Sequence, residues 1–299
     1  MTGQFTREPA PHPGVFRVRP LALETCASWL NRLAATYTLT LPKLLAGLRI
    51  PTTGSRPNPA TCEIHLTAPA WQRLAHFARI PPAHLDKALP SPISLAPPPA
   101  ARAAGTWQWL DTSALPAAAC DLCTLAHTRG ATRQAWIWAH PHRLLCARHR
   151  RWSSPTRAQT LLNVTSLPEL AASQRSHQRL LHRPNARHAW QWAHAITTRW
   201  YDHQHTCWPR FARRLNHLKA INTAAGTTSS LTLTAQAAVI YPETVALARL
   251  IATHHHPARD TTRFLTEAAH RLRLSRLAPA PDDLMTTWLT HQPHTPPEA

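Results

Sequence analysis

The chain has 299 residues, and hydrophobic residues make up 43% of it, which excludes a fully disordered protein. Lys and Arg number 33 against 14 Asp and Glu, a formal net charge of +19, so the surface should attract polyanions. No apolar run is long enough to span a membrane, and residues 1–14 contain no signal-peptide core. We therefore expect a cytoplasmic protein with a nucleic-acid partner and no membrane association.

Apolar residues recur mostly at helical spacing, which predicts a mainly α fold. The first stripe consists of Cys26, Trp29, Leu30, Leu33 and Tyr37. Glycine is scarce, with seven residues, and this disfavours a barrel or sandwich with many tight turns. We expect a helical N-terminal domain, a small zinc finger with a short β-hairpin, and a helical C-terminal region.

Clusters of proline, and one of Gly, Ser and Thr, mark the boundaries between the expected domains. In chain order these are a flexible arm (1–15), a helical N-terminal domain (16–90), a proline-rich linker (91–106), a zinc finger (107–155), a basic helical region (160–221), a C-terminal helical region (231–276) and a tail (279–299). A short helix is expected within the tail around residues 284–289.

Three cysteines and a histidine form two pairs with the spacing C-x-x-C and C-x-x-H. Cys120 pairs with Cys123, and Cys146 pairs with His149 after 22 intervening residues. Thiolate and imidazole ligands in a tetrahedral array fit Zn²⁺, and four protein ligands leave no position for water. The spacing therefore predicts one structural zinc ion, with His140 and His142 as alternatives to His149.

A redox cysteine pair or a disulfide is the alternative to zinc. A redox pair would need only the first half of the pattern, and a disulfide would need an oxidising compartment. We find no Ser, His and Asp in a catalytic-triad order, no Walker loop and no paired carboxylates. With 14 acidic residues, the chain has few carboxylates that could bind the metals of a two-metal nuclease. No catalytic residue is therefore expected.

Basic residues concentrate between Arg143 and Lys219, where 14 Lys and Arg accompany two acidic residues. We expect two groups to contact DNA phosphates. One surrounds the second ligand pair and contains Arg143, Arg148, Arg150 and Arg151. The other is expected on a free helix face and contains Arg210, Arg213 and Arg214. A solvated helix surface is the alternative for any single arginine.

A helix-turn-helix is compatible with Thr232–Thr253, with a turn near Tyr241 and a second helix opened by Pro242. Only Arg249 on the second helix could read bases, so ordinary helical packing is favoured. The helix pair at Ser28–Leu48 is a further candidate with the same alternative.

Four motifs in this order resemble those of one protein family. The first is Arg19-Pro20-Leu21, Glu24 and Ser28-Trp29-Leu30-Asn31-Arg32-Leu33-Ala34, and the second combines Trp136 with the four predicted zinc ligands. The others are Leu167-Pro168-Glu169-Leu170 with Gln174, Arg175 and His177, and Tyr241-Pro242-Glu243-Thr244-Val245. Together they resemble the TniQ family, relatives of the TnsD target-selection proteins of bacterial transposons. The second C-P-x-C of many members is absent after His149, which implies a single zinc ion.

The resemblance implies an adaptor that recruits an AAA+ ATPase regulator, and through it a transposase, to a target site. Some members read DNA themselves and others dock onto another targeting complex, and the sequence leaves both open. The expected partners are duplex DNA and the AAA+ regulator, with a homodimer left open. A stand-alone transcriptional regulator is the alternative function, and a zinc-dependent nuclease is less favoured.

Overall fold

The computed structural model describes residues 12–54, 58–89, 104–111, 115–138, 140–153, 161–223, 231–254 and 260–291. Most of the expected arm and linker, and the tail after residue 291, lie outside these residues. Within them the chain forms eleven α-helices and three small sheets, which confirms the mainly α prediction. The chain divides into two units, residues 1–139 with 155–159 and residues 140–154 with 160–299.

The helices of the described residues are α1 (Cys26–Thr36), α2 (Leu41–Gly47), α3 (Ala68–Ala78), α4 (Pro82–Ala88), α5 (Asp121–His127), α6 (Pro168–Leu180), α7 (Ala186–Asp202), α8 (Trp208–Thr223), α9 (Leu231–Ile251), α10 (Thr261–Arg271) and α11 (Leu284–His291). None of them is both long and apolar enough to cross a membrane. The strands are β1 (Thr52–Thr53), β2 (Cys62–Leu66), β3 (Gly105–Trp109), β4 (Ala117–Ala118), β5 (Trp136–Ile137), β6 (Leu145–Cys146), β7 (Arg151–Ser153) and β8 (Leu161–Asn163).

The first unit builds its core on α1. The Thr25 hydroxyl caps this helix by accepting from the Ser28 amide at 3.1 Å, as an N-cap threonine does. Trp29, Leu30 and Leu33, three members of the predicted stripe, are fully buried. They pack in one apolar cluster with residues of α2, α3 and α4, so helical spacing identified this core.

A three-stranded sheet with the order β1-β3-β2 completes this part of the first unit. β3 begins at Gly105, inside the segment expected to be a linker, and pairs antiparallel with β2 and parallel with β1. A Cβ atom at Gly105 would come within 3.1 Å of the side chains of Leu66 and Thr52, so the strands approach closely here. The glycine thus belongs to the sheet.

A buried ion pair joins Glu24, just before α1, to Arg32 in the second turn of this helix. The guanidinium donates to both carboxylate oxygens at 2.6 and 2.7 Å, and neither side chain is exposed. The Ser28 hydroxyl donates to the same carboxylate at 2.9 Å, and Arg32 also donates to the Arg19 carbonyl at 2.9 Å. The polar residues of the first sequence motif therefore form one buried network, which holds the segment before α1 against this helix.

Glu63 of β2 holds the first turn of the same helix. Its buried carboxylate accepts from the amides of Cys26 and Ala27 at 3.0 and 2.8 Å, donors that a helix start otherwise leaves unpaired. Burial raises the pKa of Glu63 to about 7, with the charge of Glu24 adding to the effect, although the amide bonds oppose it. This contact ties α1 to β2.

The second unit packs its helices around α9. This helix contacts α6, α7, α8 and α10, and most of its residues from Ala235 onward are buried. It continues from Leu231 to Ile251 without interruption, with Pro242 inside it. The turn predicted near Tyr241 is therefore absent, and no helix-turn-helix forms at Thr232–Thr253. Helical packing, the favoured alternative, is what the structure shows.

Breaking the Glu24–Arg32 pair is expected to destabilise the first unit strongly. Glu24→Gln should lower the free energy of unfolding by about 3–5 kcal/mol, because it leaves a buried guanidinium without its counter-charge. Urea denaturation followed by tryptophan fluorescence measures the loss. The matched control is the double variant Glu24→Gln/Arg32→Met, which removes both charges and should recover part of the stability. An unchanged single variant would contradict the structural role of the pair.

Glu63 is expected to make stability depend on pH. Its pKa is higher in the folded chain than the ordinary 4.5, so ionising it costs more in the folded state. The free energy of unfolding should therefore fall, through this group, as the pH rises from about 4.5 to 7. The difference in stability between the wild-type chain and Glu63→Gln across this window isolates the effect from other titrating groups. A difference that does not change with pH would contradict the assignment.

Candidate metal centre

The first predicted ligand pair lies at the start of α5, in the first unit. Cys120 is the N-cap residue and Cys123 follows in the first turn, so a helical turn places both side chains on one side. A helix N-terminus also favours the thiolate form that metals bind. Strand β4 precedes this helix in sequence and β5 follows it, and the two strands pair antiparallel, as the expected hairpin requires.

Trp136, the aromatic residue of the zinc motif, anchors this hairpin to α1. Its amide donates to the Ser28 hydroxyl at 2.8 Å, and its carbonyl accepts from the Thr25 amide at 3.0 Å. The first and second sequence motifs are therefore joined by hydrogen bonds inside the first unit. The structure gives Trp136 a role through its backbone, which sequence alone did not predict.

The second ligand pair lies in a tight turn between β6 and β7, in the second unit. The strands pair Leu145 with Trp152, and the Arg150 amide donates to the Cys146 carbonyl at 2.9 Å. Arg150 has φ +51°, the left-handed conformation that such a turn requires. The turn brings Nδ1 of His149 to 3.8 Å from Sγ of Cys146.

Cys120, Cys123, Cys146 and His149 each offer one ligand atom, and these atoms all lie within 4.8 Å of one another. In a tetrahedral zinc site, bonds of about 2.3 Å to sulfur place two thiolates about 3.8 Å apart. Cys120 is buried and the other three side chains are half-buried. Three sulfur atoms and one imidazole nitrogen at this spacing could hold Zn²⁺.

His140 and His142, the alternative ligands, do not join this group of side chains. The His142 ring instead packs against His177 of α6, with 5.9 Å between ring centroids. Burial lowers the pKa of His142 to about 4, with repulsion from His140 and Arg143 adding to it. It belongs to an aromatic cluster in which His177 stacks on Trp190 and contacts the Tyr241 hydroxyl at 3.0 Å.

Helix α6 donates hydrogen bonds to the backbone beside the second ligand pair. The Gln174 amide donates to the carbonyls of Leu145, the residue before Cys146, at 2.8 Å and of His142 at 3.3 Å. Trp152, opposite Leu145 in the hairpin, packs edge-on against Tyr241 at 4.9 Å. Gln174 and Tyr241 come from the third and fourth sequence motifs, so those motifs position the metal-binding turn.

The arginines expected to contact DNA around the second pair differ in exposure. Arg143 and Arg148 are exposed, whereas Arg150 and Arg151 are half-buried. The carbonyl of Arg150 accepts from the Val164 amide at 2.9 Å, which ties the turn to the segment before α6. Arg143 and Arg148 are thus the two side chains of this group best placed to reach a phosphate.

The second group of expected DNA contacts does not form one free face on α8. Arg214 is buried, and its guanidinium bonds to Glu243 and to Glu169 at 3.0 Å. Burial opposes its charge, but these two carboxylates raise the pKa of Arg214 above its ordinary value. Arg210 donates to the carbonyls of Leu272 and Arg273, so only Arg213 is exposed and without an ion pair among the described residues.

Tertiary contacts with α9 and α6 explain why Arg214 is buried and not on a free face. Pro242 removes one backbone donor from α9, and Arg214 donates to the Val239 carbonyl at 2.8 Å in the turn that the proline weakens. The partner residues lie 25 to 45 positions from Arg214 in sequence, so helical spacing on α8 could not reveal them. Apolar periodicity predicts which face of a helix is buried, but it does not predict which arginine forms an ion pair with a carboxylate on another helix.

Residues 15–152 match the family model described as TniQ. The matched segment includes the Glu24–Arg32 network and all four candidate metal ligands. No curated protein and no solved structure matches the chain.

Removal of one candidate ligand is expected to abolish metal binding. Cys123→Ser should lose the bound zinc and lower the melting temperature, because metal binding contributes folding free energy of about 10 kcal/mol in small zinc fingers. Zinc content by elemental analysis and thermal unfolding measure both effects. The matched control is Cys207→Ser, a buried cysteine outside the four-ligand group, which should keep its zinc. Unchanged zinc content in Cys123→Ser would contradict the assignment.

Proposed function

Because residues 15–152 make this chain a member of the TniQ family, we propose that it is a zinc-containing, DNA-binding adaptor for transposition. Membership associates the chain with transposition. The finer proposal is that it selects or marks a target site on duplex DNA and recruits an AAA+ ATPase regulator with its transposase.

The observation that supports the proposal most is the Cys₃His group beside exposed arginines. Arg143 precedes the turn that carries Cys146 and His149, Arg148 lies within this turn, and both side chains are exposed. A metal-fixed turn would hold these guanidinium groups at constant positions, as phosphate contacts require. The large positive charge of the chain would add long-range attraction to DNA.

Cys120, Cys123, Cys146 and His149 would hold the zinc ion. When bound, zinc supplies free energy of folding to a small element that has little apolar core of its own. The protein contributes the turn geometry at Arg150, the helix start at Cys120 and the Gln174 bonds to the carbonyls around the second pair. These residues set where the exposed arginines point.

We infer that the chain has no catalytic activity of its own. Four protein ligands would complete a tetrahedral shell and leave no position at which zinc could activate water. Members of the TniQ family are generally not enzymes. Three thiolate ligands need reducing conditions, which supports the expected cytoplasmic location.

Neutralising the two exposed arginines should weaken DNA binding. Arg143→Gln/Arg148→Gln removes two phosphate contacts, so the slope of log K against log salt concentration should become shallower by about 2. Fluorescence anisotropy with a labelled duplex at several salt concentrations measures the slope. The matched control is Lys43→Gln/Lys87→Gln, which removes the same charge from exposed helix positions of the first unit. Equal slopes in the two variants would contradict the role of these arginines.

Recruitment is tested with the zinc-loaded full chain and a purified AAA+ transposition regulator. The chain should increase the amount of regulator retained on duplex DNA in the presence of ATP, and Cys123→Ser should lose this effect. A chain that binds neither duplex DNA nor the regulator would overturn the proposed function. DNA binding with no effect on any AAA+ regulator would favour the stand-alone regulator instead.

A further inference from the structure

A groove in the second unit is lined by five arginine side chains, together with polar, apolar and acidic residues. It lies between the start of α6, the middle of α8, the centre of α9 and the end of α10, and its volume is about 610 Å³. Its cationic lining residues are Arg210, Arg213, Arg214, Arg271 and Arg273. We call this feature the basic groove. Two carboxylates, Glu169 and Glu243, also line it.

The two carboxylates do not neutralise the groove. Both bond to the buried Arg214, and Glu243 also comes within 3.7 Å of a second cation, Arg210. Arg213 and Arg273 are exposed and form no ion pair among the described residues. The groove therefore keeps a surplus of positive charge, and two of its guanidinium groups face no carboxylate partner within the part of the chain that the structure describes.

Arg271 connects the groove to further arginines on the same unit. It bonds to Glu267 at 2.6 Å, and its charge also acts on Arg249 of α9. Partial desolvation, with repulsion from Arg271, Arg179 and Arg183, lowers the pKa of Arg249 below its ordinary value. Helices α6 and α10 both pack against α9, and Arg179, Arg249 and Arg271 all lie in the last turns of these three helices, whose negative ends offset part of the repulsion. We call Arg179, Arg183, Arg249 and Arg271 the arginine cluster.

We propose that the basic groove and the arginine cluster form one binding surface for the phosphodiester backbone of duplex DNA. The proposal rests on the proposed DNA-binding function and adds a surface separate from the metal-binding turn. Like charges gathered from four helix segments cost free energy in the free protein, and a polyanion removes that cost. Guanidinium groups bond phosphate oxygens in pairs, which suits this ligand.

The lack of an exposed apolar anchor in the groove favours nucleic acid over a protein partner. The exposed large hydrophobic residues of the described chain are Val15, Phe16, Leu39, Trp109 and Leu181, and none of them lines the groove. Protein interfaces depend on buried aromatic or aliphatic anchors, whereas DNA interfaces are polar and strongly positive. A groove with exposed cations and no apolar anchor matches the second class.

The test uses the zinc-loaded full chain and a labelled random-sequence duplex. Arg213→Glu/Arg273→Glu changes the groove and Arg183→Glu/Arg249→Glu changes the cluster. The control is Arg187→Glu/Arg263→Glu, which makes the same charge change at exposed positions of the same unit that belong to neither feature. Each of the two test variants should weaken binding at least tenfold more than the control, with a slope of log K against log salt that is shallower by about 2. Unchanged melting temperatures show that the variants fold.

The possible results separate this proposal from the proposed function. Wild-type binding that the groove and cluster variants reduce no more than the control does would overturn the proposal and leave the DNA-binding function standing. No duplex binding by the wild-type chain would overturn both. Displacement of the duplex by millimolar ATP would assign the groove to free nucleotides and would also overturn the proposal.

Discussion

The burial of scarce carboxylates is the constraint on which the described structure depends. Of only 14 acidic residues, Glu24, Glu63, Glu243 and Asp283 are buried. Each makes several bonds: Asp283, for example, accepts from the Trp200 indole at 2.7 Å and from the Met285 amide at 2.8 Å at the start of α11. Because these carboxylates are used inside the two units, few remain to neutralise the surface arginines. The buried carboxylates thus explain the cohesion of the helices, and the positive exterior follows from the excess of 33 Lys and Arg over 14 acidic residues.

Local sequence spacing predicted the features that depend on local geometry. The helical stripe around Trp29 and Leu33 is buried as its period indicated, because one face of a helix is set by residues three and four apart. The two ligand pairs are equally local, since a helix start and a tight turn each bring two side chains together. The short helix expected near the C-terminal end is present as α11.

Features that join distant segments could not be predicted from spacing. The buried Arg214 was expected on a free face because its partner Glu243 lies 29 residues away on another helix. Pro242 suggested the start of a new helix, but α9 continues through it in a buried setting where Arg214 bonds the Val239 carbonyl. The capping of α1 by Glu63 and the gathering of arginines around Arg249 have the same origin, because each depends on tertiary packing.

The proposed function requires that the zinc-loaded chain, with its positive exterior, binds duplex DNA. Selection of bound duplexes from a random-sequence library, with the zinc-loaded full chain and with the chelated chain, tests it most directly. We expect the zinc-loaded chain to retain duplexes at low salt, with retention that falls as salt rises and that chelation reduces. Failure of the zinc-loaded chain to retain any duplex at low salt would overturn the proposed DNA-binding function.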